Sequence, residues 1–263
     1  MKGPVMLFHE QNNNQQSLES REFLIRVRNL TKKFGSFTAV DGITFDITKG
    51  EILGFLGPNG AGKTTTIKMI LGLLRITSGE VFIKNLNVKK DLKKIKTFIG
   101  YMSQKFSLYP LLSSYQNMEF FGGVSGLSRS QIRTHKENIS REILPKILRQ
   151  KVMDIPPGIK QKVSLFTCLM PDPEIVLLDE PTSGVDPENR RDFWMRIYGL
   201  KKEGKTVLVT THNLDEAEYA DRVIIIHRGN IILEGEPFAL LEREGTDSIE
   251  TLFKRAIQGH EAY

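Results

Sequence analysis

Cysteine is almost absent from this sequence: Cys168 is the only one in 263 residues. No disulfide can form within the chain, which fits a reducing compartment. Cys168 sits in an apolar helical stretch and reads as a small buried filler. Long apolar runs are also missing, and none approaches the roughly 20 residues that a membrane-spanning helix needs. The opening stretch, MKGPVMLFHEQNNNQQSLESRE, has too short an apolar segment for a secretory signal. Its Asn, Gln, Ser and Glu content is expected to leave residues 1–20 as a disordered polar tail. There is no internal repeat and no sustained heptad pattern, which argues against a solenoid or a coiled coil.

What is present is the composition of a globular protein, 40% hydrophobic and 26% charged. The length suits one large domain, with room for a subdomain. Lysine and arginine outnumber aspartate and glutamate by 37 to 31, a net charge of +6. An excess of this size fits a nucleic-acid partner, an anionic membrane surface, or a solvated surface around a phosphate site. The lysines are dispersed apart from Lys84 to Lys96, which reads as a solvated hairpin edge or loop.

Phe23–Arg28 and Ile43–Ile47 alternate apolar and polar residues, as half-exposed antiparallel strands do. Val81–Lys84 and Phe98–Met102 add strands. From about Leu108 to Arg149 the strand pattern stops, with Met118–Phe121 and Ile132–Ile147 as the clearest helical pieces. We read an inserted helical subdomain at about 106–162. After it, strands and helices alternate: Val163–Met170 helix, Ile175–Asp179 strand, Glu188–Lys202 helix, Thr206–Thr211 strand, Leu214–Ala220 helix. Val223–His227 and Ile231–Glu234 then form a strand pair around Arg228-Gly229-Asn230. Phe193, Ile197 and Leu200 recur at helical spacing and should face a core, with Trp194 beside them as packing.

The most informative stretch is Gly57-Pro58-Asn59-Gly60-Ala61-Gly62-Lys63-Thr64-Thr65. It matches the P-loop pattern GxxxxGK[ST], follows the apolar run Ile52–Leu56 and precedes a helical pattern from Thr64 to Leu74. Strand, glycine-rich turn and helix are the context that makes the pattern credible. Glycines let successive N–H groups point at phosphate oxygens, and the helix N-terminus adds partial positive charge. Lys63 is expected to reach the β- and γ-phosphates and Thr64 to offer its hydroxyl to Mg²⁺.

Ile175–Leu178 is an all-apolar run, the mark of a parallel strand buried on both faces, and it ends in Asp179 and Glu180. Alone, the pair would read as solvated strand-end acids. Downstream of a P-loop, Asp179 would hold Mg²⁺ through water and Glu180 would polarise an attacking water. Pro181–Pro187 reads as a tight turn with Asp186 as cap and Pro187 as first helical residue. His212, at the end of Thr206–Thr211, should stand beside the acids and contact a γ-phosphate or catalytic water. Gln104 follows the strand Phe98–Met102, where its amide can touch Mg²⁺ or the water.

Together these motifs, in this order, resemble the nucleotide-binding subunit of ATP-binding-cassette (ABC) transporters over nearly all of residues 21–235. The resemblance implies an α/β P-loop NTPase fold, with a RecA-like parallel core, an antiparallel β subdomain and the helical insertion. Residues 236–263 would be a C-terminal helical extension. It implies that Phe34 stacks on adenine and that ATP and Mg²⁺ are the cofactors. It also implies that two cassettes, identical or related, sandwich two ATP molecules and drive membrane permease subunits, as a peripheral protein on the cytoplasmic face. Arg190-Arg191, Asp215–Tyr219 and Ser248–Phe253 look like the drug- and polymer-exporting branch.

One motif departs. The family's signature reads Leu-Ser-Gly-Gly-Gln or close to it; here the matching stretch is Ile155-Pro156-Pro157-Gly158-Ile159-Lys160-Gln161-Lys162. Neither proline has an N–H to offer a partner's γ-phosphate, whereas Gly158 keeps its own at the start of a helix. Some export-branch relatives resemble this chain in carrying Leu-Pro-x-Gly there, so a working variant is expected. The alternative, a soluble ABC ATPase acting on ribosomes or nucleic acid, typically brings two cassettes in one chain, long coiled coils or zinc motifs. This sequence has none of those, and no nucleic-acid partner is expected. For the permease, a groove near Gln104–Phe121 is expected, with Phe106, Leu108, Tyr109, Leu111 and Leu112 either lining it or forming the insertion's own core.

Overall fold

The structure is a computed structural model that describes residues 22–104 and 108–261, with side chains to Gln258. The polar tail expected over 1–20 and Phe106 lie outside the described residues.

Two sheets organise the chain. The larger contains β3 (Ile52–Leu56), β6 (Ile99–Met102), β7 (Ile175–Asp179), β8 (Thr206–Thr211), β9 (Arg222–His227) and β10 (Asn230–Gly235). Their order is β10-β9-β3-β8-β7-β6, parallel except for β10 against β9. Every residue of β3, β7 and β8 is buried, as expected of apolar strands covered on both faces. The smaller sheet is antiparallel, in the order β2-β1-β4-β5, from β1 (Phe23–Phe34), β2 (Phe37–Thr48), β4 (Ser78–Ile83) and β5 (Leu86–Asn87).

β1 and β2 run further than their alternation suggests. Both expected strands are halves of longer ones that meet at the Gly35-Ser36 turn. Register shifts between Val27 and Leu30 and again between Leu30 and Lys32 break the period-two pattern without ending the ladder. Asn29, with φ of +47°, sits at the first of them.

Helix α1 (Lys63–Ile70) ends earlier than the apolar spacing through Leu74 implies. Gly72 adopts φ of +64°, and the N–H groups of Leu73 and Leu74 both return to the carbonyl of Lys68. This is a left-handed glycine stop. The lysine-rich segment expected as an edge or loop contains a short helix, α2 (Leu92–Ile95), with Ile95 buried.

The helical unit opens with α3 (Ser114–Val124) and α4 (Arg129–Ser140). Each begins with a capping box, Ser113 with Gln116 and Ser128 with Gln131. The single helix expected over Ile132–Ile147 is broken after Ser140 and restarts as α5 (Pro145–Leu148). Pro145 forces the residue before it out of helical geometry and then supplies a first helical position. Met118, Ile132, Ile139, Ile143 and Leu148 form a separate core, joined by Val163 of α6 (Pro157–Leu169) and by Met170, which caps that helix. Leu108 belongs to that core, whereas Tyr109 and Leu111 are exposed. Leu165 on α6 packs instead onto the parallel sheet, so α6 joins the two cores. Cys168 packs there as well, and burial pushes its thiol up to about 12, which leaves it protonated and inert at neutral pH.

The outer face of the sheet is covered by α7 (Pro187–Lys202), α8 (Pro237–Arg243) and α9 (Ile249–Glu261). Asp186 caps α7 by accepting from the N–H of Asn189 at 3.0 Å, with Pro187 as first residue. Phe193, Trp194, Ile197 and Leu200 of α7 meet Leu240, Ile249 and Leu252 in one cluster. Trp194 is 1% exposed and stacks on Tyr219 at 5.3 Å between centroids. Trp194→Ala should therefore lower the free energy of unfolding by about 3–5 kcal/mol. A urea melt checks this, and a loss below about 1 kcal/mol would show that the ring contributes little to packing.

Candidate functional site

Parallel register is what assembles the site. β3 pairs with β8 so that Leu56 lies beside Thr211, and β7 pairs with β8 so that Asp179 lies beside Thr210. Met102 of β6 lies beside Leu178. The C-terminal ends of four strands therefore meet at one edge, and the loops leaving them carry Gly57, Gln104, Glu180 and His212.

The turn after β3 is shaped by close backbone approaches. A Cβ on Gly57 would fall 2.3 Å from the carbonyl oxygen of Ile226, and one on Gly62 2.7 Å from that of Ala39. Gly62 also has φ of +111°. Only glycine fits either place. The N–H of Ala61 bonds to the carbonyl of Pro58 at 3.2 Å, while Pro58, Asn59 and Gly60 stay exposed at the mouth. Lys63 is 4% exposed and folds back over its own loop, with Nζ donating to the carbonyls of Gly57 at 2.7 Å and Pro58 at 3.1 Å.

Glu180 is the centre of the arrangement. Its Oε1 pairs with Lys63 Nζ at 3.1 Å. Its Oε2 accepts from Gln104 Nε2 at 2.8 Å and lies 3.1 Å from His212 Nδ1. The side chain is buried, and its backbone is held at φ of +47° by bonds from its N–H to the carbonyl and hydroxyl oxygens of Thr210. A non-glycine residue in the left-handed region, fixed by its surroundings, is a usual mark of a functional position.

Asp179 is buried beside it, and its Oδ1 accepts from the hydroxyls of Thr64 at 2.9 Å and Thr210 at 2.8 Å. Burial pushes its pKa above the ordinary carboxylate value, against the opposing pull of those two hydroxyls. Tyr101 on β6 is raised as well, first by its own burial and then by the nearby Asp179. A hydroxyl, a carboxylate and an amide oxygen from Thr64, Asp179 and Gln104 form an all-oxygen donor set. That suits a hard divalent cation which takes its remaining ligands from water and phosphate. No cluster of three or more His, Cys, Asp or Glu side chains able to hold a metal alone occurs among the described residues.

Phe34 stands at the tip of the β1–β2 hairpin, 49% exposed, with Lys32 Nζ 4.7 Å from its ring centroid. It shares a cleft of about 380 Å³ with Asn59, Gly60, Gly62, Lys63, Thr64, Thr65, Gln104 and Glu180. Gly158 is not brought there. It lines a separate cleft of about 580 Å³ with Pro156, Pro157, Gly184 and Asn189. Its helix begins one residue earlier than expected, at Pro157. A Cβ on Gly158 would meet Asn189 at 2.9 Å, and Asn189 is itself fixed by Asp186 at 2.7 Å.

Sequence reasoning missed Phe37 and Ala39 in the nucleotide-sized cleft, and Thr210 and Tyr101 behind Asp179. A signal exists for Thr210, because Thr210 and Thr211 follow the apolar run Val207–Val209 in a strand buried throughout. Phe37 carries none, since its place follows from its pairing with Phe34 across the hairpin.

A family model described as ABC transporter matches residues 40–183. The probable multidrug ABC transporter ATP-binding protein YbhF of Escherichia coli K12 is 46% identical over 230 residues, 86% of this chain but 39% of that protein. The chain thus spans well under half the length of YbhF. The linearmycin resistance ATP-binding protein LnrL of Bacillus subtilis is 35% identical, over 86% of this chain and 73% of its own length. The Nod factor export ATP-binding protein I of Burkholderia lata is 38% identical, over 86% and 75%. Among solved structures, an ATP-binding subunit of an ABC transporter superposes with a TM-score of 0.79 at 26% identity, covering 89% of this chain and 99% of that one. A dimeric ATP-binding cassette in a post-hydrolysis state bound to ADP and Pi superposes with a TM-score of 0.73 at 29% identity, covering 81% and 98%.

The raised Asp179 has a consequence for stability. A carboxyl whose folded pKa lies above its unfolded value contributes most when protonated, and that contribution is lost as pH rises through the folded pKa. Asp179→Asn keeps an oxygen acceptor for Thr64 and Thr210 without the charge. Its melting temperature, measured without nucleotide, should exceed that of the unaltered chain at neutral pH. The difference should shrink as pH falls below the raised pKa. Equal melting temperatures across that range would show that ionised Asp179 costs the fold nothing.

Proposed function

Since the chain belongs to the ABC transporter family, we propose that it is an ATP-binding and ATP-hydrolysing subunit that powers export through a separate membrane permease. The observation that carries the reading is the convergence of Lys63, Gln104 and His212 on the Glu180 carboxylate at the mouth of the glycine turn. A cation, an amide and an imidazole around one buried acid are the groups that phosphoryl transfer to water needs.

In this reading Phe34 stacks on adenine, and the N–H groups of Gly57 to Thr65 surround the phosphates. Lys63 exchanges the Glu180 carboxylate for the β- and γ-phosphate oxygens. That exchange frees Glu180 to orient and polarise a water against the γ-phosphate, giving ADP and phosphate, while His212 contacts the γ-phosphate. Gln104, already bonded to Glu180, positions it. Thr64, Asp179 and Gln104 would hold Mg²⁺, which neutralises phosphate charge when bound. Gly158 offers its N–H to ATP on a second cassette, identical or related. The separate cleft around Gly158 supports this, because it brings Gly184 and Asn189 alongside an N–H that Pro156 and Pro157 cannot supply.

In this reading the chain sits peripherally on the cytoplasmic face of a membrane, beside the permease; no helix among the described residues is long and apolar enough to cross one. For the permease, the exposed rings of Tyr109 and Phe120, edge to face at 4.9 Å and backed by the half-buried Phe121, offer an aromatic contact surface. The named relatives act in multidrug transport, linearmycin resistance and Nod factor export.

Glu180→Gln should retain ATP binding and lower turnover by about a hundredfold or more, measured as phosphate release. Turnover at the unaltered rate would sink Glu180 as the water-orienting group. The paired change Pro156→Ser with Pro157→Gly should strengthen ATP-driven dimerisation by about tenfold to a hundredfold, read by sedimentation, if one of the restored donors engages ATP, since such a bond is worth about 1.5–3 kcal/mol. An unchanged dimer constant would mean that Gly158 already suffices.

A further inference from the structure

Glu216 is an acid that the proposed hydrolysis does not use, yet it is 2% exposed and lies close to the site. Its Oε1 accepts from the hydroxyl of Thr182 at 2.6 Å and lies 3.5 Å from Arg190 Nε. Its Oε2 is buried without a hydrogen-bond partner, as is Arg190 Nε. A carboxylate placed this way is poor value for stability, because burial costs more than one neutral hydroxyl and one imperfect ion pair return. Its connections suggest what it does.

Thr182 lies two residues beyond Glu180, in the loop that leaves β7. Successive turns order that loop, with Ser183 N–H bonding to the Glu180 carbonyl and Val185 N–H to the Thr182 carbonyl, both at 3.2 Å. Glu216 grips its first half through Thr182. Arg190, on the first turn of α7, grips its second half by donating from Nη2 to the Val185 carbonyl at 3.4 Å. The Glu216–Arg190 pair closes the ring. Glu216 also sits in the 3₁₀ turn Leu214–Tyr219 that follows His212, with its N–H on the Asn213 carbonyl at 3.2 Å. Glu180, His212, Thr182, Arg190 and Glu216 all border one cavity of about 280 Å³ on the far side of the Glu180 carboxylate.

We infer that Glu216, paired with Arg190, is a positioning residue that clamps the Pro181–Asp186 loop to the segment carrying His212. The clamp holds Glu180 in its left-handed backbone conformation and sets the distance between the Glu180 carboxylate and the His212 ring. The inference rests on the ATP-hydrolysis reading, although the clamp is a structural unit that can be tested without it.

The test uses the full chain and its Glu216→Ala, Glu216→Gln, Thr182→Val and Glu216→Ala/Thr182→Val variants, first in steady-state ATP turnover. Glu216→Ala and Thr182→Val should each lower kcat by about tenfold to a hundredfold, the loss expected of a displaced catalytic group. KM for ATP should stay within about twofold. The double variant should lose no more than the worse single, because both remove one contact. Glu216→Gln keeps a carbonyl acceptor for Thr182 and should restore most of the rate. Unchanged kcat in a folded Glu216→Ala, or additive losses, would overturn the inference. Absence of turnover in the unaltered chain would count against the hydrolysis reading instead. Hydrogen exchange then decides the clamp: amides of Glu180 to Val185 should exchange about tenfold faster in Thr182→Val, with those of β3 unchanged. Exchange at the unaltered rate would overturn it, and Thr182→Val with Glu216→Gln supply the answer if Glu216→Ala does not fold.

Discussion

Burying the Glu180 carboxylate is possible because Lys63, Gln104 and His212 converge on it, and the rest of the site follows from that requirement. A carboxylate removed from water must find charged or hydrogen-bonding partners or give up its charge. Each partner here arrives from the end of a different strand, so the pairing register of β3, β6, β7 and β8 is also the register of the site. A slip of one residue in β7 would turn Asp179 and Glu180 to opposite faces and leave Lys63 with only its own loop carbonyls. The ladder that makes the core therefore also aligns the chemistry.

The two neighbouring acids are held differently. Glu180 is held by charge, whereas Asp179 is held by two threonine hydroxyls, whose pull does not offset its burial. Such a contrast suits a division of work, one carboxylate paired with a lysine and one resting on neutral hydroxyls. The same loop region is constrained from behind. Asp186 caps α7 and fixes Asn189, and Asn189 in turn leaves space only for glycine at 158. The Pro156-Pro157-Gly158 turn and the Ser183–Asp186 loop are thus packed as one surface, although nearly thirty residues separate them in the chain.

Much of this was legible in the residues. All-apolar strands, the glycine turn and the acid pair are local patterns with one physical reading each, and they led to the parallel core and to Lys63, Asp179 and Glu180 directly. β1 and β2 outrun their apolar–polar alternation because register shifts interrupt a pattern that the ladder survives. The apolar spacing from Ile132 to Ile147 reads as one helix because it persists across the break at Pro145. Tyr101 and Phe37 carry no such signal because each acts through a neighbour supplied by strand pairing, and a side chain's neighbours across a sheet leave no trace in its own surroundings along the chain.

The sequence by itself determined that glycine, lysine, threonine and paired carboxylates stand in the order and spacing that phosphate binding and water activation would need. It also determined that the Pro156-Pro157 stretch has a single N–H left, at Gly158. Only the tertiary structure decided that Glu180 is the point where Lys63, Gln104 and His212 meet, and that Glu216 and Arg190 brace the loop behind it. It also placed Gly158 in a cleft apart from the glycine turn of its own chain. Residue type sets what a side chain can do, but distance and burial set what it meets, and those arise only when strands far apart in the chain are aligned edge to edge.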